Sequence, residues 1–296
     1  MSASVLYDAL GPRAKRRVAV GSIIAVIGAI AVLALVTVQL EEQGQFEQEK
    51  WAPLIDPSDE RFPLVWDLMF EALGNTLIAA AWAMLFSLII GTLLAVTRVT
   101  AARWYRWAVV GVIEFLRGIP VVIAIFFAAR VLPEAGVDLE PLWFLVIGLT
   151  AYNSVIIAEI VRAGINSLPA GQREAGESLG MTRWQVLYLI LLPQAFRIML
   201  PALISQLVVV LKDTSLGFII SYPELVRTAG FIVQNLQNPI QTYLIVAVIF
   251  ILINYALSRL AIFVERRLSR GRKAAVPEAQ PMAATTVTGA GAGVGA

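Results

Sequence analysis

VAVGSIIAVIGAIAVLALVTVQL, residues 18–40, carries no charged side chain and is long enough to cross a membrane as a helix. About 20 apolar residues, each rising about 1.5 Å, cover the roughly 30 Å of hydrocarbon in a bilayer. Five further stretches meet the same requirement: 70–97, 107–131, 142–163, 194–220 and 240–263. Composition agrees, with 58% hydrophobic residues, 15% charged residues and a mean hydropathy of +0.77, all far from the soluble average. Lipid offers the backbone no hydrogen-bond partner, and the runs are too long and continuous for barrel strands. The predicted fold class is therefore an all-α integral membrane bundle of six transmembrane helices.

The first span has a basic start, as a secretory signal does. Its apolar core exceeds the roughly 7–15 residues of a signal, and no small-x-small site is followed by a polar mature start, so it reads as a retained anchor. Basic residues set the orientation. Arg13, Lys15, Arg16 and Arg17 precede the first span, and Arg98, Arg103 and Arg106 follow the second. Arg162, Arg173 and Arg183 follow the fourth, and Arg266, Arg267, Arg270, Arg272 and Lys273 follow the last. These segments belong on the cytoplasmic side, which puts both termini inside a plasma membrane. The alternate loops are poor in bases and rich in Glu41, Glu42, Glu47, Glu49, Asp56, Asp59 and Glu60, then Glu134, Asp138 and Glu140.

The net charge of +2 suggests no nucleic-acid partner. Zero cysteines exclude disulfides and thiolate chemistry, and zero histidines remove the commonest general base and metal ligand. No catalytic, cofactor or metal site is expected, and an enzyme is disfavoured. It divides into a cytoplasmic N-terminus (1–17), the anchor (18–40), an outer spacer (41–67), the main transmembrane domain (68–265) and a tail (266–296) that starts basic. Pro53, Pro57 and Pro63 argue against one long helix in the spacer. Residues from Ala274 onward are low in complexity and predict disorder. No internal sequence repeat is evident.

Between the fourth and fifth spans lies GQREAGESLGMTRWQVLYLILLPQAF, residues 171–196. Counted from the end of the fourth span, the connection is far longer than the roughly 2–8 residues that join packed helices. Gln172–Leu179 favours helix, Gly180 supplies a stop and Thr182 a new cap, so a short helix, a sharp turn and an oblique helix entering the membrane are expected. Gly171 to Ser178 nearly matches G-x-x-x-x-G-K-S, but Glu177 replaces the phosphate-binding lysine and no strand precedes it, so nucleotide binding by this chain is rejected. The spacing of Glu174-Ala175-Gly176, Gly180 and Ile190-Leu191-Leu192-Pro193 resembles the EAA loop, here 171–193, of ABC importer permeases. In that family the loop carries the coupling helix that docks on a separate ATPase, which implies ATPase-coupling roles for Glu174, Ala175, Gly176, Gly180 and Pro193. Gly176 departs from the family's usual second alanine and is expected to loosen the helix.

Other stretches resemble the polar-amino-acid branch of these permeases: Glu114-Phe115-Leu116-Arg117-Gly118-Ile119-Pro120, Ala151-Tyr152-Asn153-Ser154, Ala158 to Gly164, Leu192 to Arg197, and Lys212-Asp213-Thr214-Ser215-Leu216. The resemblance covers roughly residues 68–265. The extra first span, acidic spacer and Ala/Gly-rich tail are similar to glutamate-uptake permeases of actinobacteria. The resemblance implies a type I importer permease for a polar amino acid, with glutamate foremost. It also implies ABC ATPase subunits, an extracytoplasmic solute-binding protein and a second permease, identical or related.

Charges at bilayer depth cost at least about 2.5–3.5 kcal/mol and so mark candidate pathway residues. Arg117 falls mid-way along the third predicted span, with Glu114 on the same helix face and a kink expected at Pro120. Lys212 and Asp213 fall near the outer end of the fifth, where the hydroxyls of Thr214 and Ser215 can satisfy a broken backbone. For both groups a solute pathway and a local structural ion pair remain alternatives. Glu159 and Arg162 read as a solvated pair at the inner end of the fourth span. A gradient-driven secondary transporter or channel, or a non-transporting membrane scaffold, are the rival functions.

Overall fold

The computed structural model describes residues 11–100 and 103–273, with side chains for 11–100 and 107–267. The expected disordered tail from Ala274 lies outside the described residues. Eleven helices follow in order: α1 (Pro12–Glu42), α2 (Gln48–Ile55), α3 (Phe62–Thr100), α4 (Arg103–Gly118), α5 (Val121–Glu134), α6 (Pro141–Asn166), α7 (Ala170–Ser178), α8 (Arg183–Gln185), α9 (Leu192–Asp213), α10 (Leu225–Leu236) and α11 (Pro239–Lys273). Five helical segments are long and apolar enough to cross a membrane, or six if the bent pair α4–α5 is one span.

The bundle is centred on α6. Two-thirds of its most apolar stretch is buried against other helices (67%), whereas for α11 the share is 11%. α3 packs along α6 through a ladder of small side chains, Ala83, Ser87, Gly91 and Ala95, spaced four apart and therefore on one face. A Cβ on Gly91 would lie 2.6 Å from the Ser154 carbonyl oxygen, so glycine sets the closest approach of these two helices. Close backbone approach of this kind replaces the hydrophobic drive that lipid cannot supply. On another side of α6, a Cβ at Gly148 would meet Ile125 of α5 in the same way.

The third predicted span departs most from expectation. Instead of one kinked helix, α4 and α5 are separate and meet at 97° across Ile119 and Pro120. Pro120 has no amide hydrogen and its ring crowds the preceding turn; it stands as the extended N-cap of α5 rather than as a residue inside a helix. α5 packs along α6, which turns α4 away from that axis.

Residues 41–61 also do more than space two helices. Leu54 of α2 is buried in a core with Val65, Met69, Leu225, Ala229 and Val246, drawn from α3, α10 and α11. The Trp66 indole donates to the Leu54 carbonyl at 3.0 Å, and Asn238 Nδ2 donates to the Lys50 carbonyl at 3.1 Å. α1, by contrast, stands apart: none of its apolar stretch is buried.

Candidate functional site

The connection between α6 and α9 folds as a tight hairpin. α7 ends on Gly180, whose φ of +78° lies in the left-handed region that glycine enters without a side-chain penalty. The Met181 amide donates to the Gly176 carbonyl and the Gly180 amide to the Glu177 carbonyl, the paired bonds of a Schellman turn. Thr182 then caps the next helix. Its hydroxyl accepts from the Gln185 amide at 3.3 Å, while Gln185 Oε1 accepts from the Thr182 amide at 2.8 Å, a reciprocal capping box. Val186–Leu191 forms a widened π turn immediately before Pro193, which cannot donate to the carbonyl four residues back and crowds it.

Gly176 is the contact point of the hairpin. It is buried, and a Cβ there would lie 2.8 Å from Val186 Cγ2 and 3.0 Å from Ile190 Cδ1. Gln194 Nε2 adds a bond to Gln172 Oε1 at 3.1 Å. With Gly176 turned inward, Glu174, Ala175 and Gly180 are exposed, as are Leu179 at the tip (82%) and Trp184 beside it. Pro193 is exposed where α9 begins. A cavity of about 540 Å³ separates the hairpin from the inner end of α3, lined by Thr100, Arg173, Glu177, Arg183 and Trp184 among others.

Above the hairpin, sequence reading paired Glu159 with Arg162 and missed a third member. Arg162 forks onto Glu159 Oε2, with Nε at 2.9 Å and Nη2 at 2.7 Å. Arg98, in the last turn of α3, bonds the other oxygen, Oε1. One carboxylate thus clamps α3 to α6. A polar pair deeper in the bundle was also missed: Gln206 Nε2 of α9 donates to Asn153 Oδ1 of α6 at 2.8 Å, both residues buried. Amides inside otherwise apolar runs were the signal that could have revealed it.

The candidate pathway residues are not brought together. Arg117 sits at the elbow between α4 and α5, not in mid-span, and both it and Glu114 are exposed. Among the described residues no ion pair joins them, nor does one join Lys212 to Asp213. The discontinuity expected near Asp213 is present: α9 gives way to a 3₁₀ turn over Thr214–Ile220. Thr214 Oγ1 donates to the Leu211 carbonyl at 2.6 Å and Ser215 Oγ to the Lys212 carbonyl at 2.7 Å, so these hydroxyls serve the loosened backbone as expected. Among the described residues no three metal-ligating side chains converge.

The stretch holding this hairpin, the Arg98 clamp and the α4–α5 elbow, residues 87–270, matches the family of binding-protein-dependent transport system inner membrane components. The chain belongs to that family. The permease is 40% identical over 237 residues to the glutamate transport system permease protein GluD of Corynebacterium glutamicum, covering 79% of this chain and 85% of the relative. It is 34% identical to the probable glutamine ABC transporter permease protein GlnP of Bacillus subtilis, covering 68% of this chain and 92% of the relative. Among solved structures, an amino acid ABC transporter determined with histidines superimposes with a TM-score of 0.63 at 28% identity, over 68% of this permease and 94% of that chain. The matched family region begins inside α3, so α1 and α2 lie outside it.

Proposed function

We propose that this permease is the membrane-spanning subunit of an ATP-driven importer of an amino acid, with glutamate as the leading substrate. The observation that carries the reading is the hairpin of α7 and α8. A Schellman turn and a reciprocal capping box hold it rigid, Gly176 packs it onto the π turn that leads into α9, and its surface leaves Glu174, Ala175, Leu179 and Trp184 exposed. A preformed, exposed and locally braced element of this kind suits docking to a second protein. In the proposed cycle, separate ATPase subunits bind it, and their ATP-driven dimerisation moves it; α9 and the Arg98–Glu159–Arg162 clamp carry that movement to α3 and α6. The permease hydrolyses no ATP itself. A second permease, identical or related, completes the pathway, an outer binding protein delivers the solute, and both termini face the cytoplasm.

Substrate choice follows the relatives, whose names specify glutamate and glutamine transport. The test is uptake of glutamate and glutamine into proteoliposomes containing the full complex and binding protein, with ATP supplied on the hairpin side and all ion gradients collapsed. Uptake that requires ATP and the binding protein is the expected result. Uptake that follows a sodium or proton gradient without ATP would instead establish a secondary transporter.

A further inference from the structure

The outer end of the bundle holds a pocket that the coupling scheme does not use. It has a volume of about 270 Å³ and lies between the outer part of α3, the turn at Ser221–Pro223 and the exposed face of α10. Its polar lining comes from Ser221, Arg227, Thr228 and Gln234, and its apolar wall from Leu68 and Phe231. The volume falls just below the roughly 300–1,000 Å³ of most small-molecule sites, which restricts the occupant to something of amino-acid size. α10 is strongly two-sided. Leu225, Ala229 and Ile232 are buried, while Arg227, Phe231 and Gln234, spaced at i, i+4 and i+7, share the stripe that faces the pocket.

The walls are fixed before any ligand arrives. Ser221 is held at φ +61°. Tyr222 Oη donates to the Asn75 carbonyl and Asn75 Nδ2 to the Pro223 carbonyl, each at 3.0 Å, tying the turn to α3. The Leu225 amide donates to Thr76 Oγ1 at 3.1 Å. Glu224 lies at the base of α10, and its two carboxylate oxygens are taken up by the Val226 amide at 2.8 Å and the Arg227 amide at 2.6 Å. It is therefore committed to the backbone and does not pair with the Arg227 guanidinium. Among the described residues no carboxylate lies within ion-pair distance of Arg227.

A guanidinium without an internal counter-charge, next to a hydroxyl, an amide and an aromatic wall, has the chemistry of a carboxylate site. We propose that this pocket is an outer entry site for a carboxylate-bearing solute. Arg227 holds the carboxylate through paired N–H bonds, Thr228 and Gln234 supply further hydrogen bonds, and Phe231 covers the aliphatic part. This rests on the importer reading and adds to it the place where the solute first meets the permease. The phosphate of an outer-leaflet lipid offers the same oxyanion, and the experiment separates the two sources.

Because the chain has no cysteine, Leu68→Cys places a single thiol of this subunit on the pocket wall, at a residue given no bond to the solute. The full complex, without binding protein, is placed in nanodiscs of zwitterionic lipid, and the rate of modification by a membrane-impermeant thiol reagent is measured. Saturating L-glutamate should slow modification about tenfold, as expected when bound solute leaves the thiol free only a small fraction of the time. An amino alcohol of the same length, lacking carboxylates, should not slow it. Arg227→Gln in the same background should abolish protection, with complex yield checked by size exclusion. Should that variant fail to assemble, Ser221→Cys with Arg227 intact repeats the protection test at a second wall.

Protection equal with glutamate and the amino alcohol, or retained in Arg227→Gln, overturns the proposal. So does a modification rate set by anionic lipid content and indifferent to solute, which would make the pocket a headgroup site. ATP-dependent uptake by the wild-type complex in proteoliposomes keeps the two readings distinct. Uptake without protection removes the entry site and leaves the importer intact. Protection without ATP-dependent uptake removes the importer reading and leaves the carboxylate site standing.

Discussion

The hairpin of α7 and α8 and the assembly around α10 are braced in opposite ways. The hairpin is closed by bonds between residues three to five positions apart, from the Schellman turn at Gly180 to the capping box at Thr182. The outer assembly is closed by bonds that span 147 to 196 residues, such as Tyr222 to Asn75 and Gln241 to the Gln45 carbonyl. Locally coded structure keeps its shape while it moves as a unit, which suits an element pushed by a partner. Structure closed by long-range bonds is fixed only relative to the rest of the fold, which suits a wall that must keep its place as the bundle rearranges.

The contrast is broken most severely at the hairpin. Glu174→Lys reverses the charge on its exposed face, and Gly180→Val forces a β-branched residue into the left-handed region; each should reduce ATP-dependent uptake to background while the chain stays inserted. Normal uptake by either well-expressed variant would remove the docking assignment. Next is Glu159→Gln, which leaves Arg98 and Arg162 without their shared carboxylate. Removing one member of a buried pair costs about 3–5 kcal/mol; with 27% of the Glu159 side chain exposed, about 2 kcal/mol is expected, seen as a lower melting temperature of the complex.

On the outer side, Asn75→Ala and Tyr222→Phe each delete one tie between α3 and the Pro223 turn. Each should cost about 1 kcal/mol, and faster hydrogen exchange should be confined to the start of α10. Exchange that rises throughout the bundle would show that these ties are global rather than local.

A pH test sharpens the same comparison. Burial pushes the Glu224 carboxyl up to about 7, against the opposing pull of the two amides it accepts from. A raised acid binds its proton more tightly in the folded state, so its contribution is complete below about 4.5 and is lost as pH rises through about 7. Melting should therefore be easier at pH 8 than at pH 5, a difference that Glu224→Ala should shrink. The smallest effect belongs to Gly176→Ala. Helix propensity favours alanine by about 1 kcal/mol, and crowding against Val186 opposes it by a similar amount, so stability should change by less than about 1 kcal/mol.

Much of the permease was legible in its residues because the signals are short-range. Five of the six apolar runs appear as spanning helices, Gly180 and Thr182 give the hairpin, and the hydroxyls of Thr214 and Ser215 foretell the loosened end of α9, since each depends on chemistry within one or two helical turns. The misreadings share a cause. Pro120 announces a disturbance, but whether the chain kinks or turns through 97° depends on what α5 packs against. Glu114 lies at the right spacing for Arg117, yet helix spacing only permits a pair and does not require one.

What the sequence alone determined was therefore the membrane class and the braced hairpin. Which charges meet was decided only by tertiary structure. The register of α3 on α6, set at Gly91, accompanies the pairing of Arg98 with Glu159, and the folding of residues 41–61 onto α10 and α11 makes a wall from an apparent spacer. Backbone caps are settled by neighbours in the chain; side-chain pairs between helices are settled by packing, and packing is a property of the whole bundle.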